Sequence, residues 1–166
     1  MELKRVEENQ IDVAYGLIEQ AKAFLKSCGV DQWQKGYPSR DSIVSDVAGK
    51  TGWFLEDGGE ILGYACIDFD GEVAYDTLRG SWLDAEPYAV IHRMAVSDSC
   101  KGKGVAHAFF RAIDDYVKQQ GITSIRVDTD EDNTIMKHLI EALGYTYCGT
   151  IWFDNSIKIA YQKQLK

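Results

Sequence analysis

A chain of 166 residues, 45% apolar and 11% aromatic, is sized for one domain (1–166) that buries a full core, which excludes a disordered polymer. Its 26 acidic residues against 18 basic ones leave a net charge of -8, which excludes a general nucleic-acid binder with a basic face. No apolar run reaches the roughly 18 residues of a membrane span, MELKRVEENQ is charged from its second residue and does not read as a signal peptide, and Cys28, Cys66, Cys100 and Cys148 show neither a CxxC pair nor metal-ligand spacing. The expectation is a cytoplasmic protein with free thiols, no metal, no membrane and no nucleic-acid partner.

Residues 2–7 are a short candidate strand. From 10 to 28, Ile11, Ala14, Leu17, Ile18, Ala21, Phe24 and Leu25 recur at spacings of three and four, the pattern of an amphipathic helix, and Gly29 supplies its stop. An aromatic loop over Trp33–Pro38 precedes a short helix that Ser39 or Asp41 caps and Gly49 ends. Gly52–Glu56 and Ile61–Asp68 flank Asp57-Gly58-Gly59-Glu60, a hairpin turn. Residues 69–85 are irregular and acidic. Residues 88–96, YAVIHRMAV, carry the strongest strand signal, followed by the turn SDSCKGKGVA and a helix over about 105–120. A buried strand over 122–128, a helix over 133–143 closed by Gly144, and strands over 145–153 and 157–164 complete the chain. This order predicts a mixed α/β fold with a central, mostly antiparallel sheet of about six to seven strands and about four helices. One parallel pair is expected, where helix 105–120 crosses between strands 88–96 and 122–128.

The run Lys101-Gly102-Lys103-Gly104-Val105-Ala106 follows a strand and opens a helix. Two glycines let the backbone bend and let a bulky anion approach. The first helical turn offers unpaired N–H groups and partial positive charge, so the segment reads as a diphosphate cradle, with the Lys101 and Lys103 ammonium groups adding charge. The Walker and Rossmann patterns are both absent.

The run from His92 to Tyr145 resembles the GNAT family of N-acetyltransferases. Lys101-Gly102-Lys103-Gly104-Val105-Ala106 is similar to its phosphate motif, Met94-Ala95-Val96 to the end of its fourth strand, and Asn133 with Leu139, Leu143, Gly144 and Tyr145 to its second motif. The resemblance implies acetyl-CoA as cosubstrate and an amine acceptor, either a small molecule or a peptide. It implies a sheet whose fourth and fifth strands splay around the cofactor at a bulge near Arg93–Ala95. It further implies that Met94, Ala95 and Val96 border the pantetheine arm, that the amides of Lys101 to Ala106 hold the diphosphate, and that Asn133 bonds the pantetheine or the backbone beside it. As a plain helix residue, Asn133 reads as an N-cap. Dimers are common in the family, so a homodimer is compatible with the chain.

Attack of a neutral amine on a thioester needs a base, an oxyanion donor and a proton for the departing thiolate. His92 is the candidate base, with a packed strand histidine as the alternative. The Met94 backbone N–H is the candidate oxyanion donor. Relatives place a tyrosine acid where this chain has Ile140; Tyr145, Tyr147 and Cys148 lie nearby, and Tyr145 is a weak substitute. Strand alternation puts His92 and Met94 on one face and Arg93 and Ala95 on the other, leaving Arg93 to anchor a carboxylate such as Asp128. Trp33, Tyr37, Tyr75, Trp82 and Asp128 are candidates for acceptor binding, with core packing and loop capping as the alternative readings. Cys100, beside the turn, reads as exposed. A non-catalytic acyl-CoA-binding or sensing module on the same fold is the competing function, favoured by Ile140.

Overall fold

In the computed structural model, which describes every residue from Met1 to Lys166, helix α1 spans Ile11–Ser27 and buries Ile11, Ala14, Leu17 and Ile18. These side chains share a cluster with Val6, Ile43, Phe54, Tyr64 and Ala95. Each fully buried Leu or Ile there contributes about 1.5–3 kcal/mol through removal of apolar surface from water. Helix α2, Arg40–Ala48, starts at Ser39, whose hydroxyl accepts from the Ser42 amide, and turns Ile43 inward.

The chain divides into two units, Met1–Ile67 with His92–Ile113, and Asp68–Ile91 with Asp114–Lys166. The first holds α1 and α2, strands β1 (Glu2–Arg5), β2 (Gly52–Asp57) and β3 (Glu60–Asp68, paired with β2 from Glu60 opposite Asp57 to Cys66 opposite Gly52, and within this unit up to Ile67), and the start of helix α3 (Val105–Gln119). β1 and β2 pair antiparallel, as do β2 and β3, through a two-residue turn in which Gly58 and Gly59 both have positive φ. Gly63 on β3 is packed so closely that a Cβ there would lie 2.8 Å from the Ala95 carbonyl oxygen and 2.9 Å from the Phe109 ring.

The second unit contains β4 (Arg79–Gly80), β6 (Ser124–Thr129), helix α4 (Thr134–Ala142), β7 (Thr146–Phe153) and β8 (Ser156–Gln164). β6 pairs antiparallel with β8, β8 with β7, and β7 with β4. Strand β5, Ala89–Val96, has residues in both units, and its first two residues pair parallel with β6, Ala89 opposite Ile125 and Val90 opposite Arg126. The parallel pair expected across α3 is therefore present. Helices α1, α3 and α4 each end on a glycine with matched backbone bonds, such as Val30 N–H to Leu25 O and Gly29 N–H to Lys26 O.

The sheet has eight strands rather than six or seven. The additional strand is β4, inside the stretch read as irregular, which also holds a 3-10 turn over Val73–Thr77. β4 forms because Gly80 and Gly149 let two backbones meet: a Cβ at Gly80 would stand 2.0 Å from the Cys148 carbonyl oxygen. Within β5, where a bulge near Arg93–Ala95 is expected, Arg93 is a non-glycine residue with φ 54. That conformation breaks the simple alternation of faces expected for residues 92–95.

Candidate active site

After β5 the chain makes a 3-10 turn, Asp98–Cys100, and then enters Lys101–Gly104. Gly102 and Gly104 have φ 76 and 75, a region L side chains avoid, and a Cβ at either would meet nothing within 4 Å. Glycine is required here by the backbone angle rather than by crowding. The first bond of α3 runs from Ala108 N–H to the Gly104 carbonyl, so the amides of Val105, Ala106 and His107 precede the helical ladder. Amides at a helix start, open space beside two left-handed glycines and an exposed Lys103 are the elements of an anion site. A diphosphate fits this donor set, which offers hydrogen bonds and partial positive charge without a wall of side chains.

Lys101 departs from its expected role. Its ammonium donates to the Val96 carbonyl at 3.2 Å, pairs with Asp98 at 3.0 Å and lies 4.5 Å from the Phe24 ring centroid. Its charge is engaged by the turn itself, which leaves the exposed Lys103 as the cation of the loop. Cys100 is buried, at 7% exposure, because the 3-10 turn folds it inward, so the reading of an exposed thiol beside the turn is corrected.

His92 and Met94 lie on β5, both partly buried. Loss of hydration, reinforced by the neighbouring Arg93 charge, presses the His92 pKa down to about 3. The expectation of a histidine titrating near neutrality is thereby corrected: the imidazole is neutral at pH 7 and holds a proton weakly. Its NMR resonances are expected to stay constant from about pH 5 to pH 8, the range in which an ordinary histidine titrates. A midpoint inside that range would restore the general-base assignment.

Arg93 does not anchor Asp128. Its Nε donates to Asp46 Oδ2 at 2.8 Å, its Nη2 to Asp46 Oδ1, and its Nη1 to the Tyr37 hydroxyl at 2.8 Å. Tyr64 donates to the same Asp46 Oδ2. Burial would lower the Arg93 pKa, but the bonds to Asp46 outweigh it and raise the pKa. Burial and Asp46 together raise that of Tyr64. The reading of the sequence missed Asp46. The signal for it was a carboxylate three residues after Ile43 on the apolar stripe of α2, a place where a charge persists only when paired.

In the second unit, Tyr75 is 1% exposed and donates to Asp128 Oδ1 at 2.6 Å. Trp82 packs on Tyr75 at 5.3 Å between centroids and donates its indole N–H to the Tyr75 carbonyl. The guanidinium of Arg126 stands 4.1 Å from the Trp82 ring centroid and 3.9 Å from that of Tyr88, and it donates to the Asp84 carbonyl at 2.9 Å. Tyr75 is therefore a core residue, and the Trp82 face is already covered by a cation of the chain. In the first unit Trp33, at φ 66, packs against the core cluster, and the Tyr37 hydroxyl is engaged by Arg93.

Burial pushes the Asp128 pKa up to about 6, although the Tyr75 bond and the nearby Lys158 charge pull the other way. An unfolded aspartate titrates near 3.9. Between about pH 4 and pH 6 the native protein therefore keeps a proton that the unfolded chain has released, so this group's contribution to stability falls as pH rises through that window and is flat above it. Asp128→Asn is expected to remove that slope. Denaturant titrations of both proteins across the window check this, and identical slopes would refute it.

Tyr145 is 5% exposed, and its pKa is raised well above the ordinary value by burial and by Asp114, so it is a poor proton donor. Its ring lies under the Lys163 ammonium, which pairs with Asp114 at 2.5 Å. The candidate acid is thus corrected to a packed residue at the α4–β7 turn. Ile140 is 1% exposed on α4 and contributes to the core. The Asn133 side chain caps α4 by accepting from the Met136 amide at 3.2 Å.

A family model for the acetyltransferase (GNAT) family matches residues 17–145. The structure of a GNAT-family acetyltransferase from Streptococcus agalactiae 2603 is 34% identical, covers 99% of this chain and 95% of its own, and superposes with a TM-score of 0.90. A putative acetyltransferase from Staphylococcus aureus MU50 is 27% identical, covers 99% of both chains and has a TM-score of 0.74. AAC(6')-Ib in complex with ribostamycin and coenzyme A shares the fold at 18% identity and a TM-score of 0.70, with coverage of 98% of this chain and 92% of its own. No match was found among curated proteins. With more than half of its length matched by the family model and a near-complete structural relative above 30% identity, the chain belongs to the GNAT acetyltransferase family.

Proposed function

We propose that the chain, as one domain, transfers the acetyl group of acetyl-CoA to a primary amine. The observation that carries this reading is the Lys101–Ala106 turn, with two left-handed glycines, open space above them and helix-start amides, in a chain of this family. The coenzyme supplies an activated acetyl thioester. The residues of the chain then have distinct tasks. The amides of Gly102, Gly104, Val105 and Ala106 and the Lys103 charge hold the diphosphate, the Lys103 amide being taken by the Cys100 carbonyl. The main chain of Met94 to Val96 pairs with the extended arm as an added strand would. The Met94 N–H stabilises the oxygen that gains charge as the amine nitrogen bonds to the acetyl carbon. The carbon–sulfur bond then breaks and the amine proton passes to solvent. With Ile140 and Tyr145 in the core, the thiolate departs without a side-chain acid. It is a sufficiently stable leaving group for this.

A cationic acceptor is supported by the stretch 68–86, whose sequence holds six acidic residues, Asp68, Asp70, Glu72, Asp76, Asp84 and Glu86, against one basic residue, Arg79. Four free cysteines, three of them buried, support a reducing compartment such as the cytoplasm. No helix is long and apolar enough to cross a membrane.

The test is release of free thiol from acetyl-CoA over a panel of primary amines. Turnover on any of them supports the transferase. Tight coenzyme A binding with no turnover on any amine would instead identify the sensing module, which the buried Ile140 favours.

A further inference from the structure

A non-glycine residue in the left-handed region costs about 1–2 kcal/mol, and Arg93 holds that conformation at φ 54 in the middle of a strand. Such a conformation persists where its surroundings over-determine it. Here they do so through a single side chain. The Arg93 guanidinium uses three of its nitrogens, two on Asp46 and one on the Tyr37 hydroxyl, and the Arg93 and Asp46 side chains are only 13% and 5% exposed. Asp46 is itself fixed, because Tyr64 of β3 donates to its Oδ2 and the capped helix α2 carries its backbone. The clamp therefore ties the bend in β5 to α2, to β3 and to the loop bearing Tyr37.

Two features argue for more than packing. Glycine adopts this backbone angle at no steric cost, yet the position holds the residue with the most demanding hydrogen-bond geometry. A buried ion pair is also a poor source of stability compared with apolar residues of similar volume. The residue next to the bend is Met94, whose amide belongs to the peptide group that Arg93 rotates out of the strand alternation.

We propose that Arg93 and Asp46 are positioning residues, a bidentate clamp that holds β5 in the left-handed bend aiming the Met94 main chain at the acetyl thioester; the inference rests on the acetyltransferase reading above. The clamp acts through the backbone and touches no substrate.

The experiment uses the full chain and three variants, Arg93→Lys, Arg93→Gly and Asp46→Asn. Lysine keeps the charge but loses the fork, glycine accepts the bend without the clamp, and asparagine keeps an acceptor without charge. Amide hydrogen exchange over residues 92–96, coenzyme A affinity by calorimetry, and kcat are measured well below the melting temperature of each protein. The clamp predicts faster exchange at Met94 and Ala95 by about tenfold or more in Arg93→Lys and Asp46→Asn. It predicts a fall in kcat of about tenfold to a hundredfold, larger than the loss of coenzyme A affinity that loosening Met94 to Val96 brings, since a misplacement near 1 Å suffices for such a loss. Arg93→Gly should retain more activity than Arg93→Lys. Lowered melting temperatures with unchanged kcat and unchanged exchange over 92–96 would overturn the clamp, leaving a structural ion pair. If the wild-type chain does not bind coenzyme A, the acetyltransferase reading fails, and exchange at Met94 in Asp46→Asn still decides whether the pair holds the bend.

Discussion

A Gly104→Glu protein is expected to lose coenzyme A binding by about a hundredfold or more, a change of ~2.7 kcal/mol. Gly104 sits at φ 75 immediately before α3, so any side chain meets backbone strain of about 1–2 kcal/mol. A Cβ there contacts nothing within 4 Å, so steric clash inside the protein adds nothing to that figure. The remainder comes from charge. A carboxylate on the axis of the helix start satisfies the amides that a diphosphate would use and repels its phosphates. Gly104→Ala separates the two causes, because it carries the strain without the charge and should weaken binding by about tenfold. Isothermal calorimetry with coenzyme A provides the measurement. Unchanged affinity in the glutamate protein would remove the diphosphate cradle from the account.

The second large effect falls on stability. Asp46→Ala is expected to destabilise the fold by about 3–5 kcal/mol, the cost of stranding a buried partner charge. Arg93 is raised in pKa and cannot shed its proton to escape the penalty. Only the Tyr37 hydroxyl would remain to it among the two partners described, and the Tyr64 hydroxyl would lose its acceptor as well. Replacing Asp46 and Arg93 together by apolar residues should cost less than the single change, since no charge is then left behind. Urea denaturation of the single and double variants is the check, and a loss below about 1 kcal/mol for Asp46→Ala would mean that water reaches the guanidinium.

Much of the architecture was written in local patterns. The spacing of Ile11, Ala14, Leu17 and Ile18 marks α1 within one residue at each end, Gly58-Gly59 marks the β2–β3 hairpin, and Ser39 marks the start of α2. The Lys101–Ala106 turn was legible because its two left-handed glycines and the start of α3 are consecutive in sequence. What escaped depends on partners far apart in sequence. Arg93 meets Asp46 across 47 positions and Tyr75 meets Asp128 across 53, and no periodicity encodes such a choice. β4 is two residues long and depends on Gly149 on another strand, so nothing within 79–80 announces it. His92 and Tyr145 were assigned by residue type, whereas their proton affinities are set by burial and by neighbours.

The sandwich of Arg126 between Trp82 and Tyr88 bears on how this protein can change over generations. The guanidinium fills a ready-made receptacle of two ring faces and the Asp84 carbonyl. One substitution at position 126 to a small neutral residue would empty it, leaving an aromatic-walled hollow suited to a guanidinium or ammonium from outside. Ligand recognition could thus arise here by deletion, with no new contact having to be built.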